Sequence, residues 1–216
     1  MSGAALGEPA KATVEKHMVR LKRLPSPTWR AFLDNHIKDL VPVDFFVVPT
    51  VAFKVLFVFF VIAHCRRRIV HFSVTEHPTA QWTGQQIVEA FPWEAIPDYL
   101  LRDRDAVYGP AFKARMEGMG IEEVITAPRS PWQNPFAERV IGSIRRECLE
   151  HVIVLNERHL RRVLAEHLQH YHRWRCHRSL DMDAPAQRPV QVRDCGDVVE
   201  VAEASGLYRH YERRAA

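Results

Sequence analysis

The stretch FFVVPTVAFKVLFVFFVIA, residues 45–63, decides what kind of molecule this is. It is mostly apolar and close to the roughly 20 residues that a membrane-spanning helix needs. Pro49 and Lys54 interrupt it, however, Asp44 precedes it, and the unbroken run from Val55 to Ala63 is about half a span. Its branched and aromatic side chains fit a pleated surface instead, so two buried strands joined by a turn near Pro49 and Thr50 are expected. No membrane partner is expected.

Working outward, strand-like runs cover residues 40–48, 54–63 and 68–74, the last reading RIVHFSV. Their connections are too short for crossover helices, which predicts an antiparallel meander. After Pro78 the pattern changes. TAQWTGQQIVEAF (79–91) reads as a helix with Trp82, Ile87, Val88 and Phe91 inward, PDYLLR (97–102) as a strand, PAFKARMEGMG (110–120) as a helix stopped by Gly120, and EEVIT (122–126) as a strand. A three-strand meander followed by strand-helix alternation predicts an α/β fold, a mixed five-stranded sheet flanked by helices.

Upstream, SPTWRAFLDNH (26–36) predicts a short helix carrying Trp29, Phe32 and Leu33. From Asn134 to about Arg178 the chain reads as wholly helical, followed by a loop with Pro185 and Pro189, a small strand candidate GDVVEV and a basic end, YRHYERR. The chain of 216 residues, 47% hydrophobic, is long enough for one main core. The expected division is a lead-in over 1–36 without a complete DNA-binding domain, a core over 37–190, and a tail over 191–216. A formal charge of +4 with twelve histidines favours a polyanionic partner. Cys65, Cys148, Cys176 and Cys195 are scattered, with no CxxC pair and no secretory leader ahead of them, which fits a reducing cytoplasm.

Three carboxylates stand out by position. Asp44 lies inside the first strand, on one face with Phe46 and Val48, where a charge is costly unless it is paired or binds a metal. Taken alone it is an ordinary strand-end aspartate. Asp103 follows YLLR, at the carboxyl edge where open α/β sheets place their sites, but Asp105 is on the same side by alternation and periodicity cannot choose between them. In APRSPWQNPFAERVIGSIRRECLEHV (127–152), Asn134 is a good N-cap and Pro135 suits the first helical position, so Glu138 falls in a first helical turn. Ala137, Ile141, Ile144, Cys148 and Val152 form one apolar face, with Glu138, Gly142 and Arg145 on the adjacent stripe.

This ordered set resembles the catalytic core of DDE transposases and retroviral-type integrases, and more narrowly the integrase-core transposases of bacterial insertion sequences. Such proteins carry an aspartate in the first strand, a second followed by Asn-Gly and an aromatic five residues on, and a glutamate some thirty-five residues later. Asp103 puts Tyr108 at the aromatic position and leaves 34 intervening residues before Glu138; Asp105 puts Pro110 there and leaves 32. Asp103 is the better match. SPWQNPFAERVIGSIRREC and YHRWRCHRSLDMDAP (171–185) resemble two further family stretches, so the likeness spans roughly residues 37–190.

The resemblance implies a ribonuclease H-like fold and a metal-dependent DNA transposase or integrase, with Asp44, Asp103 and Glu138 both catalytic and metal-holding. Oxygen-only ligands suit Mg²⁺ or Mn²⁺. Two such ions about 4 Å apart would support hydrolytic nicking at an element's end and then strand transfer. Arg129, Gln133, Asn134, Arg139, Arg145 and Arg146 would contact DNA phosphates. Element ends and target DNA are the implied partners, in a homo-oligomer. Trp132 is expected to anchor its loop. The histidines of HLQHYHRWRCH are expected on a helical basic face rather than at a zinc site. Arg104 stands where the family has asparagine. A catalytically idle remnant that still binds DNA or partner protomers, or a structure-specific nuclease of the same fold, are the competing expectations.

Overall fold

The computed structural model describes residues 27–63, 65–92, 95–128 and 130–215. Helix α1 (Pro27–His36) leads into strands β1 (Leu40–Pro49), β2 (Val55–Ala63) and β3 (Arg68–Thr75). Helix α2 (Ala80–Ala90), β4 (Tyr99–Arg102), α3 (Pro110–Met119) and β5 (Glu122–Ile125) follow in alternation. The sheet order is β3-β2-β1-β4-β5. Pairings β1–β2 and β2–β3 are antiparallel, and β1–β4 and β4–β5 are parallel. The expected mixed sheet with its meander is therefore the observed one.

The apolar run at 55–63 is explained by coverage on both faces. Leu56, Val58, Phe60 and Ile62 of β2 pack against helices α4 (Pro135–Glu147) and α5 (Glu157–Arg173) through Ala137, Val140, Ile144, Leu160, Leu164 and Tyr171. Phe59 and Val61 point the other way, toward Ile87 of α2 and Phe112 and Met116 of α3. A strand buried on both sides needs apolar residues at every position, so its alternation disappears. Among the described residues no helix is long and apolar enough to cross a membrane.

Three sequence expectations are corrected. The helix expected from Asn134 to Arg178 is two helices: α4 ends at Glu147, a short turn spans Leu149–His151, and α5 begins only at Glu157. Between them the chain runs extended, burying Val154, whose carbonyl accepts the Val51 N–H at 2.8 Å. Asn156 restarts the helix, its side chain accepting the His159 N–H at 2.9 Å. Second, the basic end is strand β7 (Tyr208–Arg214), paired antiparallel with β6 (Asp197–Glu203). Tyr208 fastens this hairpin to the helices: its hydroxyl donates to the Glu147 carbonyl at 2.9 Å and lies 2.6 Å from His167 Nδ1, and its ring stacks on His170.

Third, the histidines of α5 and its following loop do not form a solvated basic face. His167 is fully buried, His177 is nearly so, and His172 accepts the Ile69 N–H at 3.0 Å. Burial pushes all three imidazoles down to about 4, so they are neutral at physiological pH.

Candidate active site

β1 and β4 run side by side with Leu40 opposite Tyr99, Val41 opposite Leu100 and Pro42 opposite Leu101. Asp44, two residues past Pro42, lies beyond the last of these pairs on the sheet face shared by Phe46 and Val48, and the charge of Asp103, two residues past Leu101, acts on it. This face is the one that carries α4, since Phe46 and Val48 of the same β1 alternation pack there. Arg102, the last residue of β4, is buried and forms an ion pair with Glu123 of β5 at 2.5 Å, while its Nη1 donates to the Asp103 carbonyl at 2.9 Å. The backbone of Asp103 is thus held by its own strand's buried arginine. That role is invisible in sequence, because it depends on which strand lies beside β4.

The two aspartates of the DRD stretch are unequal. The Asp105 N–H donates to Asp103 Oδ1 at 3.0 Å, and the Val107 N–H donates to Asp105 Oδ1 at 3.1 Å. Both carboxylates brace the turn into α3, a habit of short acidic side chains. Arg104 turns toward β5, its Nε donating to the Thr126 carbonyl at 3.0 Å. Tyr108 is buried beneath this turn, 6.1 Å from the Phe45 ring and 5.0 Å from the Arg102 guanidinium.

α4 brings the third carboxylate. Pro135 opens the helix as expected, but Asn134 makes no side-chain cap. It is buried, and its Nδ2 donates to the carbonyl of Val43, the residue before Asp44, at 3.3 Å. Gln133 Oε1 accepts the Ala127 N–H at 2.5 Å and closes the preceding loop. Asn134, expected to face DNA, is therefore turned to the sheet, whereas Gln133 stays half-buried in its loop. Glu138 stands exposed in the first turn. Arg139 follows it and is exposed, while Arg145 and Arg146 lie in the last turn, roughly 10 Å further along the axis. Arg129 lies outside the described residues.

The charges of these segments act on one another. Burial pushes the Asp44 carboxyl from its ordinary 3.8 up to about 7, and the negative charges of Asp103, Glu138 and Asp105, in that order, push it the same way. Only the Phe45 N–H, donating to Asp44 Oδ1 at 2.8 Å, favours its ionised form. Among the described residues none of Asp44, Asp103 and Glu138 has an arginine or lysine at ion-pair distance, whereas Glu123 and Glu147 do. As they stand, no three acidic, histidine or cysteine side chains among the described residues close around a common metal position. The donor chemistry nevertheless fits a hard divalent cation: oxygen ligands only, with uncompensated negative charge on three separate segments. Asp103 and Glu138 are exposed, so an extended polymer can reach them.

Residues 119–185 match the family model described as integrase core domain; the match covers Glu138 and both long helices and begins beyond Asp44 and Asp103. A protein of insertion element IS476 from Xanthomonas euvesicatoria is 35% identical over 99 residues, 46% of this chain and 29% of that protein. The chain thus spans less than a third of that relative. Among solved structures, the magnesium-bound catalytic core domain of HTLV-2 integrase aligns with a TM-score of 0.55 at 11% identity, covering 69% of this chain and 94% of that one. The catalytic domain of Mos1 mariner transposase aligns with a TM-score of 0.55 at 15% identity, covering 68% and 83%. At these identities the likeness is one of fold, and it assigns the mixed sheet to the ribonuclease H-like class. The family resemblance read from the sequence is borne out.

Proposed function

We propose, with an integrase core segment on a ribonuclease H-like fold as the premise, that this chain is the catalytic core of a DNA transposase or integrase of the insertion-sequence kind. In this reading it is a metal-dependent polynucleotidyl transferase, and Asp44, Asp103 and Glu138 hold Mg²⁺ or Mn²⁺, two ions when fully loaded. The bound ions would supply Lewis acidity to a DNA phosphodiester and a more acidic water or 3′-hydroxyl. The observation that carries the reading is that three carboxylates, from β1, the end of β4 and α4, share one neighbourhood with no arginine or lysine at ion-pair distance among the described residues.

The chain's own groups have distinct tasks in it. The Phe45 N–H orients the Asp44 carboxylate, the Asp105 N–H orients that of Asp103, and Asn134 fixes the start of α4 so that Glu138 faces β1. Arg139, with Arg145 and Arg146 further along the helix, holds phosphates beside the carboxylates, and Arg129 belongs to the same proposal. Element ends and target DNA are the proposed partners, and joining two ends calls for more than one copy of the chain. Light scattering on a DNA-bound sample that finds only monomer counts against that assembly. A reducing cytoplasm is the proposed compartment, and the free thiols of Cys148, Cys176 and Cys195 suit it.

The test is Mg²⁺- or Mn²⁺-dependent nicking of supercoiled plasmid, with a strand-transfer assay beside it. Asp103→Asn and Glu138→Gln are expected to lower nicking about a hundredfold or more, equivalent to ~3 kcal/mol of barrier. Asp105→Asn is expected to retain it. Equal nicking by all the proteins, or none with DNA binding intact, replaces this reading with that of an idle DNA-binding relative. Nicking without strand transfer points to a structure-specific nuclease.

A further inference from the structure

A pocket of about 50 Å³ opens between the end of β2, α4 and the segment after α5, with Arg67, Arg139, Arg175 and His177 among its walls. This volume is well above the ~10–15 Å³ that a single water needs. Its cations are unequal. Arg175 is neutralised by Glu147, two parallel contacts of 2.6 Å joining guanidinium to carboxylate. Arg67 and Arg139 have no acidic partner among the described residues, and burial together with the charges of Arg139 and Arg175 depresses the Arg67 guanidinium.

The fourth wall is a buried donor without an acceptor. His177 is 5% exposed. Its Nδ1 lies 3.4 Å from Arg175 Nη1, which can only donate, so the neutral ring carries its proton on Nε2. That Nε2 is buried and has no hydrogen-bond partner. Leaving such a group unpaired carries the full cost of its desolvation.

The backbone around Arg67 is also constrained. Arg66 and Arg67 both adopt the left-handed conformation, with φ of 54° and 58°, which is strained for non-glycine residues. Arg66 holds this corner: its guanidinium reaches Asp183 and the Ala184 carbonyl, each at 2.7 Å, and the Pro185 carbonyl at 2.9 Å. The clamp ties the corner to the loop after α5 and leaves the Arg67 guanidinium over the Phe136 ring, 5.7 Å from its centre.

We propose that this pocket seats one phosphodiester group of a DNA backbone, with Arg67, Arg139 and the Nε2–H of His177 as its donors. That the anion belongs to DNA rests on the transposase reading; that the pocket takes an oxyanion rests on its own charges and its unpaired donor. Because Arg139 follows Glu138 on α4, a strand bound here is registered against the carboxylates one residue away. Arg67 and His177 come from segments otherwise remote from those carboxylates.

The experiment measures binding of a fluorescent DNA duplex in EDTA, so that cleavage plays no part. Arg67→Gln and Arg139→Gln together are expected to flatten the slope of log affinity against log salt by about 0.9, the share of one phosphate contact, and each alone by part of that. Arg67→Lys, which keeps the charge, is expected to recover much of that slope. In the native protein, the duplex is expected to shift the His177 Nε2 signal in nitrogen-resolved NMR. Unchanged slopes in folded variants, or a His177 signal that the duplex does not move, overturn the proposal. A signal moved by millimolar inorganic phosphate but not by duplex also overturns it, in favour of a free-anion site. If Glu138→Gln abolishes nicking while the pocket variants bind normally, the pocket falls and the catalytic reading stands; flattened slopes with nicking unaffected by Glu138→Gln give the reverse.

Discussion

At the scale of the residue, Asp44 sets burial against charge. Its folded carboxyl, raised to about 7, binds a proton more tightly than the unfolded chain does near 3.8. The folded state therefore holds more protons across that window, and the contribution of Asp44 to stability falls as pH rises from about 4 through 7. Asp44→Asn keeps the shape and removes the charge. In metal-free protein at pH 8 it is expected to stabilise by about 2 kcal/mol, discounted for partial exposure, or roughly 4–8 °C in Tm. The difference should shrink toward pH 5. Added Mg²⁺ or Mn²⁺ should raise the Tm of the native protein and leave Asp44→Asn unmoved; melting curves at the two pH values, with and without metal, check both. A variant no more stable than the native protein at pH 8 would mean that Asp44 is already compensated.

At the scale of the element, α4 is held on the sheet by the packing of Ala137, Val140 and Ile144 and, at its start, by Asn134. Asn134→Ala removes the bond to the Val43 carbonyl and leaves a small void, with an expected cost of about 1–3 kcal/mol in denaturant titration. Its nicking rate at saturating DNA should fall as well, because the helix carrying Glu138 loses its tie to β1. Asn134→Asp should not rescue it, since a carboxylate cannot donate to a carbonyl. The end of α3 is simpler. Gly120 has φ of +73° with open space where a Cβ would stand, so Gly120→Ala is expected to cost about 1 kcal/mol from backbone conformation alone, read from the shift in unfolding midpoint.

At the scale of the whole molecule, acid sensitivity belongs to three imidazoles, two buried and one half-buried. His167, His172 and His177 titrate near 4 in the fold and near 6.5 when unfolded, so the unfolded chain binds more protons between those values. Stability from these groups is fully present above pH 6.5 and is lost as pH falls through about 4. Fully buried His167 alone contributes on the order of 3 kcal/mol to that loss. Asp44 works in the opposite direction over the same range, so the informative quantity is the difference between native protein and His167→Gln in denaturation at pH 7 and pH 4.5. The native protein should lose more stability on acidification than the variant, and equal losses would place the sensitivity elsewhere. Much of this architecture was legible in the sequence, since helix and strand follow from neighbours two to four positions apart. The double-sided burial of β2, the stop at Gly120, the strand-helix alternation and the order of the acidic residues all belong to that local information. The β1–β4 pairing that brings Asp103 near Asp44 does not, nor does the inward turn of Asn134, which reaches a partner 91 residues away. The same holds for the break before α5, the strand made by the basic end and the burial of the histidines. Each of these depends on which distant surface arrives opposite a residue, and that is decided only when the sheet and its two helical layers close on one another.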